Sequence, residues 1–141
     1  MIFLVFINTI IFIILSFLHF YWALGGNWGM EGVVPTFSDE GKKVFKPGLH
    51  ATMGVGIVMG GFAFIIIGNT GFFDQSLSHT FIRYATLAIG ILFLLRAIGE
   101  FKYIGFFKKV KGTLFAKNDT RYYSPLCLVI AIINFAIILL T

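Results

Sequence analysis

Cysteine is almost missing from this 141-residue sequence: Cys127 stands alone, which excludes an internal disulfide and any cysteine-based zinc cluster. Charge is scarce too, at 12% of residues, roughly half the share in an ordinary soluble domain. No His-x-x-x-His or Glu-x-x-His spacing occurs, so no helix carries a ready-made pair of metal ligands. The cluster Gly25-Gly26-Asn27-Trp28-Gly29-Met30-Glu31-Gly32 lacks the spacing and the Lys-Ser/Thr ending of a phosphate-binding loop, and reads as a turn-rich connector. Lysines and arginines exceed acids by 11 to 6, yet no nucleic-acid-binding signature accompanies the surplus. Nucleic-acid partners are therefore set aside, and neither a cofactor nor a metal is expected. No repeat at a solenoid period is present.

What the chain has instead is apolar surface. Hydrophobic residues make up 58% of it, more than so short a chain can hide from water. Lipid is the solvent this composition calls for. Four apolar runs, at about 2–24, 48–68, 79–100 and 125–140, are separated by polar segments. At about 1.5 Å per residue, the first three are long enough to cross about 30 Å of hydrocarbon. The fourth is short and needs a thinner bilayer or help from Tyr122 and Tyr123. No Lys or Arg precedes the first run, so we read it as a retained span rather than a cleaved leader. The expectation is an all-α, single-domain four-transmembrane-helix bundle over residues 1–141. Its turn signals include Pro35 and Pro47, and Ser124-Pro125 reads as an N-cap followed by a first-turn proline.

Between the third and fourth runs lies a basic, aromatic segment suited to the membrane surface. It contains Lys102, Lys108, Lys109, Lys111, Lys117 and Arg121. Tyr103, Phe107, Val110 and Leu114 would share one face of a helix lying in the headgroup plane. With four spans, this connector and the loop bearing Lys42, Lys43 and Lys46 fall on one side. The positive-inside rule puts loops 25–47 and 99–123 in the cytoplasm and both termini outside. Lys102, Lys108, Lys109, Lys111 and Arg121 are then candidate contacts for lipid headgroups, anionic ones above all.

The same orientation gathers several polar groups at one depth. His19, His50, Arg96 and Glu100 all sit at the cytoplasmic ends of their spans and are the candidate lining of a polar pocket. Arg96 and Glu100, one helical turn apart, are placed to pair, and Asp119 is a second partner for Arg96 or Arg121. His19, His50 and Glu100 would form a two-histidine, one-carboxylate set only if three helix ends converged. Asn8 with His19, and Cys127 with Asn134, lie about 20° apart on their helices and mark inward stripes. Gly56-x-x-x-Gly60 suits close helix packing, and a Gly54–Gly61 face is a candidate surface between protomers. No catalytic motif is present, and Cys127 sits inside an apolar helix. A non-enzymatic role in binding lipid or a membrane partner is the leading expectation. The alternative is a small membrane enzyme or transporter built on the polar pocket.

Two stretches, His19 to Gly29 (HFYWALGGNWG) and Arg96 to Cys127, resemble a family of small bacterial four-helix membrane proteins classed only as a domain of unknown function. The resemblance covers nearly the whole chain. It implies a bacterial inner-membrane location and the four-span plan, and it implies no activity.

Overall fold

Helix is the only regular structure among the described residues, because backbone groups in hydrocarbon must be satisfied within their own segment. The computed structural model describes residues 1–26, 48–72, 75–99, 105, 107, 108 and 114–140. Helix α1 is Ile2–Ala23, and α2 is Leu49–Ile67 with a tight extra turn at Gly68–Thr70. Helix α3 is His79–Ile98, and α4 is Phe115–Leu140. All four are long and apolar enough to cross a membrane, at 22, 22, 20 and 26 residues when the Gly68–Thr70 turn is counted with α2.

The helix ends follow from local chemistry. The Ser78 hydroxyl accepts the Phe81 N–H at 3.1 Å and so caps α3, whose free N–H groups would otherwise lack partners. At the other end of α3, Gly99 adopts a left-handed φ of 87° and turns the chain out of the helix.

The start of α4 differs from expectation. Ser124-Pro125 does not open the fourth helix, because helical backbone already runs from Leu114. A π-turn at Asp119–Tyr123 precedes the proline, and the Ser124 N–H reaches back to the Asp119 carbonyl. The wider turn accommodates a residue that has no N–H of its own. Ser124 therefore has helical φ and ψ, and its Oγ is buried without a hydrogen-bond partner. The fourth span gains length at this end and needs no thinned bilayer.

The bundle is two zipped hairpins. In the first, α1 packs along α2: Ser16 Oγ donates to the Gly56 carbonyl at 2.7 Å, and Gly56 lies against the Phe20 ring. The absence of a side chain at Gly56 permits that approach, since a Cβ there would sit 2.7 Å from the ring. Gly60 also faces α1, near Ser16 Oγ, whereas Gly54 and Gly61 have no described atom within 4 Å of a Cβ position. In the second hairpin, α3 packs along α4 and buries Ile89, Ala97, Cys127, Ile130 and Ala131.

The hairpins meet around Phe12, whose ring stands edge-on to Phe62 of α2 and Phe93 of α3. Polar side chains complete the join. Asn8 of α1 donates to Asn134 of α4, which donates to the Thr86 carbonyl of α3 at 2.9 Å. Asn69, just past α2, donates to Thr86 Oγ1 at 2.8 Å. Lipid tails are as apolar as leucine, so such hydrogen bonds and close packing hold the pairs together.

Candidate functional site

The richest polar cluster lies where α3 ends and α4 begins. It starts with a glycine. Gly105 has a φ of 91°, and a Cβ there would sit 2.3 Å from the Ile98 carbonyl oxygen. Only glycine tolerates both the left-handed backbone and this approach to the end of α3. Its N–H then points at Asp119, donating to Oδ2 at 2.6 Å.

Asp119 is fully buried in the π-turn and collects three donors. Besides Gly105, Arg96 Nη2 donates to Oδ1 at 3.0 Å and Lys108 Nζ to Oδ2 at 3.2 Å. The Lys108 ammonium also donates to the Gly105 carbonyl at 2.9 Å and to Thr120 Oγ1. All three of its protons are thus committed. The Lys108–Asp119 pair is sealed from solvent at 1% and 0% exposure, while the Arg96 side chain keeps 31%. Two cations share one carboxylate, so the three side chains together carry an excess positive charge. Arg96 Nη1 is buried and has no hydrogen-bond partner among the described residues.

This arrangement redistributes the residues proposed from sequence. Arg96 joins Asp119 across the α3–α4 junction, and Glu100 lies outside the described residues. His19 Nδ1 donates to the Leu15 carbonyl at 2.7 Å, one turn back, and its ring stands edge-on to Trp22. Its described contacts stay within α1. His50 is exposed in the first turn of α2. Among the described residues, no three of the His, Cys, Asp and Glu side chains are grouped to hold a metal ion.

His19 and Arg96 do lie at similar depth. The Asn8–Asn134–Thr86 contacts set a common level, and from it both residues are about 15–16 Å along their helices at roughly 1.5 Å per residue. A shared level is not a shared pocket, because His19 is turned to its own helix.

The headgroup contacts also change. Lys108 is not free to meet lipid, since its ammonium is an internal anchor. Arg121 is exposed, with its guanidinium 5.3 Å from the centre of the exposed Tyr122 ring, an aromatic–cationic pair suited to the membrane surface. Lys102, Lys109 and Lys111 lie outside the described residues. Gly105, Phe107 and Lys108 form a turn, with Lys108 N–H on the Gly105 carbonyl at 3.4 Å, so no continuous helix runs through Phe107. Of the expected amphipathic face, Tyr103 and Val110 lie outside the described residues.

Chemically, the cluster is an anchored cation. Asp119, itself held by Lys108 and the Gly105 N–H, fixes the Arg96 guanidinium from one side and leaves Nη1 without a hydrogen-bond partner. A planar cation with an unpartnered N–H and a partly exposed side chain suits an oxyanion such as phosphate.

The model of a family described as "Protein of unknown function (DUF3995)" matches residues 12–134, and the chain belongs to that family. The matched range takes in Arg96, Lys108 and Asp119. No curated protein and no solved structure matches the chain.

Proposed function

We propose that this DUF3995 member is a bacterial inner-membrane protein that binds anionic phospholipid at the membrane surface nearest Arg96. In this reading loops 25–47 and 99–123 are cytoplasmic and both termini are outside, a placement that the lysine distribution supports. The observation that carries the proposal is the unpartnered Nη1 of an Arg96 whose other nitrogen is fixed by buried Asp119. An Arg so placed gains from a phosphate what it cannot gain from apolar neighbours. Exposed Arg121 adds a second cation on the same turn of α4 as Asp119, and each nearby cation is worth about 1 kcal/mol against anionic lipid. A membrane partner presenting a phosphate or carboxylate would use the same groups.

The test is native mass spectrometry of the protein released from micelles containing phosphatidylglycerol or phosphatidylcholine. The wild type should retain phosphatidylglycerol, and Arg96→Gln should lose most of that retention while staying folded. Equal retention of both lipids by the wild type would end the proposal.

A further inference from the structure

Two buried polar atoms at the α3–α4 junction have no hydrogen-bond partner among the described residues: Arg96 Nη1 and Ser124 Oγ. They belong to facing helices, and the packing puts them at one level. Asn134 fixes the register, since its Cβ lies 3.0 Å from where a Cβ of Gly90 would be. The two helices run in opposite directions, so six residues further along α3 and six residues back along α4 bring Arg96 opposite Leu128. To reach Asp119 from there, the Arg96 side chain has to run along α4 past Cys127.

Ser124 stands on that route. Its N–H bonds the Asp119 carbonyl across the π-turn, and Cys127 follows three residues later, so the three lie one above another. All three are buried. The Arg96 charge acts on both Tyr123 and Cys127, which flank Ser124 on this part of α4. The guanidinium that ends on Asp119 therefore passes beside the Ser124 hydroxyl without bonding to it. Depth matters as well. Ser124 is 16 residues from Leu140, about 24 Å at roughly 1.5 Å per residue, against a hydrocarbon core of about 30 Å. That leaves it near one edge of the core, where an arginine side chain reaches headgroup phosphate.

We infer that Ser124 is the second donor to the phosphate bound by Arg96, its hydroxyl and the Nη1 N–H taking oxygens of one lipid headgroup. The inference rests on the lipid-binding reading above and adds a residue to its site. Two donors beside an excess of positive charge call for an oxyanion. A bridging water would meet both groups but leave the charge unbalanced. A hydroxyl left unpaired in apolar surroundings weakens the lipid-free fold, and the same hydroxyl strengthens the complex once an oxygen accepts from it. Both atoms are covered in the lipid-free protein, so the phosphate enters along the exposed part of the Arg96 side chain, with the guanidinium turning on its Asp119 contact. The acyl chains stay in the surrounding bilayer and need no seat between the helices.

Lipid retention and stability separate the two roles of Ser124. In native mass spectrometry with phosphatidylglycerol, Ser124→Ala should lower retention roughly tenfold, the worth of one hydrogen bond to a charged group. Its lipid-free unfolding midpoint in detergent should be no lower than the wild type's. Added phosphatidylglycerol should raise that midpoint less than it raises the wild type's. Wild-type retention and wild-type stabilisation in Ser124→Ala, together with loss in Arg96→Gln, would overturn the second donor and keep the headgroup reading. A lower lipid-free midpoint would make Ser124 a structural group and overturn the inference as well. Equal retention of phosphatidylglycerol and phosphatidylcholine by the wild type would remove both readings. Inorganic phosphate, offered without lipid, should not be retained. Its retention by the wild type in place of lipid, with loss in Ser124→Ala, would give the site to a free anion and overturn the lipid as its ligand.

Discussion

Arg96 and Asp119 are 23 residues apart in the chain and 3.0 Å apart in the structure, one at the end of α3 and the other in the π-turn that leads into α4. Their contact closes the second hairpin at its basic end, and Lys108 binds the same carboxylate from the connecting segment. Asp119→Asn keeps the side chain's volume and removes its charge. The buried Lys108 ammonium would then lack its counter-ion, and breaking such a pair costs about 3–5 kcal/mol. We expect a loss of that order in unfolding by denaturing detergent. Arg96→Gln should cost no more than about 1 kcal/mol, because its side chain is 31% exposed. Adding Lys108→Met to Asp119→Asn should recover part of the loss, since no bare charge remains. Equal losses from the two single variants would show that burial does not govern the cluster.

The hydrogen-bonded chain through Asn134 makes a second prediction. Asn134 accepts from Asn8 and donates to Thr86, so it ties three helices together while fully buried. Interhelical hydrogen bonds in membranes average about 0.6 kcal/mol and reach about 1.7. Asn134→Leu removes two of them and should cost about 1–2 kcal/mol, with Asn8→Leu costing less. The same detergent unfolding measures both. A gain in stability from Asn134→Leu would mean that the chain of amides is merely accommodated.

Much of this fold is legible in the sequence because membrane solvation makes a coarse demand. A span must be long, apolar and helical, and the runs from Ile2, Leu49 and His79 meet that demand openly. The inward stripe through Cys127 and Asn134 is legible for the same reason, since both residues are buried. The site is harder to read. Gly105 and Lys108 reach Asp119 from a turn, where residue spacing no longer maps to direction. One signal was present: Asp119 is the only acid after Glu100, amid Lys102, Lys108, Lys109, Lys111, Lys117 and Arg121. A solitary carboxylate in such a field is the natural focus of its cations. Pro125 misled for a different reason, because a π-turn accommodates a proline that an α-helix would have to begin with.

That last point gives Ser124→Ala a decisive sign. An N-cap serine lost to alanine costs about 0.5–2 kcal/mol. Here Ser124 Oγ is buried without a partner in the body of α4, so removing it relieves an unsatisfied group. The variant should be neutral or slightly more stable. A clear loss in the unfolding midpoint would restore the capping role.

The glycines of α2 divide in the same way. Gly56→Leu must displace the Phe20 ring, and overpacking of this kind costs about 1–3 kcal/mol. Gly61→Leu enters open space and should be tolerated, with no effect on the hairpin. Crosslinking in membranes reads a further outcome. Loss of a dimer in Gly61→Leu, with monomer stability intact, would assign the Gly54–Gly61 face to protomer contact.

Orientation carries the proposed function, because it decides which leaflet's headgroups reach Arg96. The short connector 69–78 contains Asp74 and no Lys or Arg, whereas the two longer connectors hold most of the chain's lysines. Moving short lysine-rich loops across a membrane is disfavoured, so the proposed orientation has the lysine-poor turn exported. Cysteine labelling tests this cleanly, since the lone native thiol, Cys127, is buried and can be replaced by Ala. In that background Ser76→Cys should react with a membrane-impermeant maleimide on intact bacterial cells. Lys111→Cys should react only after the cells are opened. The reverse pattern would place Arg96 at the outer leaflet, and the cytoplasmic lipid-binding proposal would have to be withdrawn while the bundle itself stood unchanged.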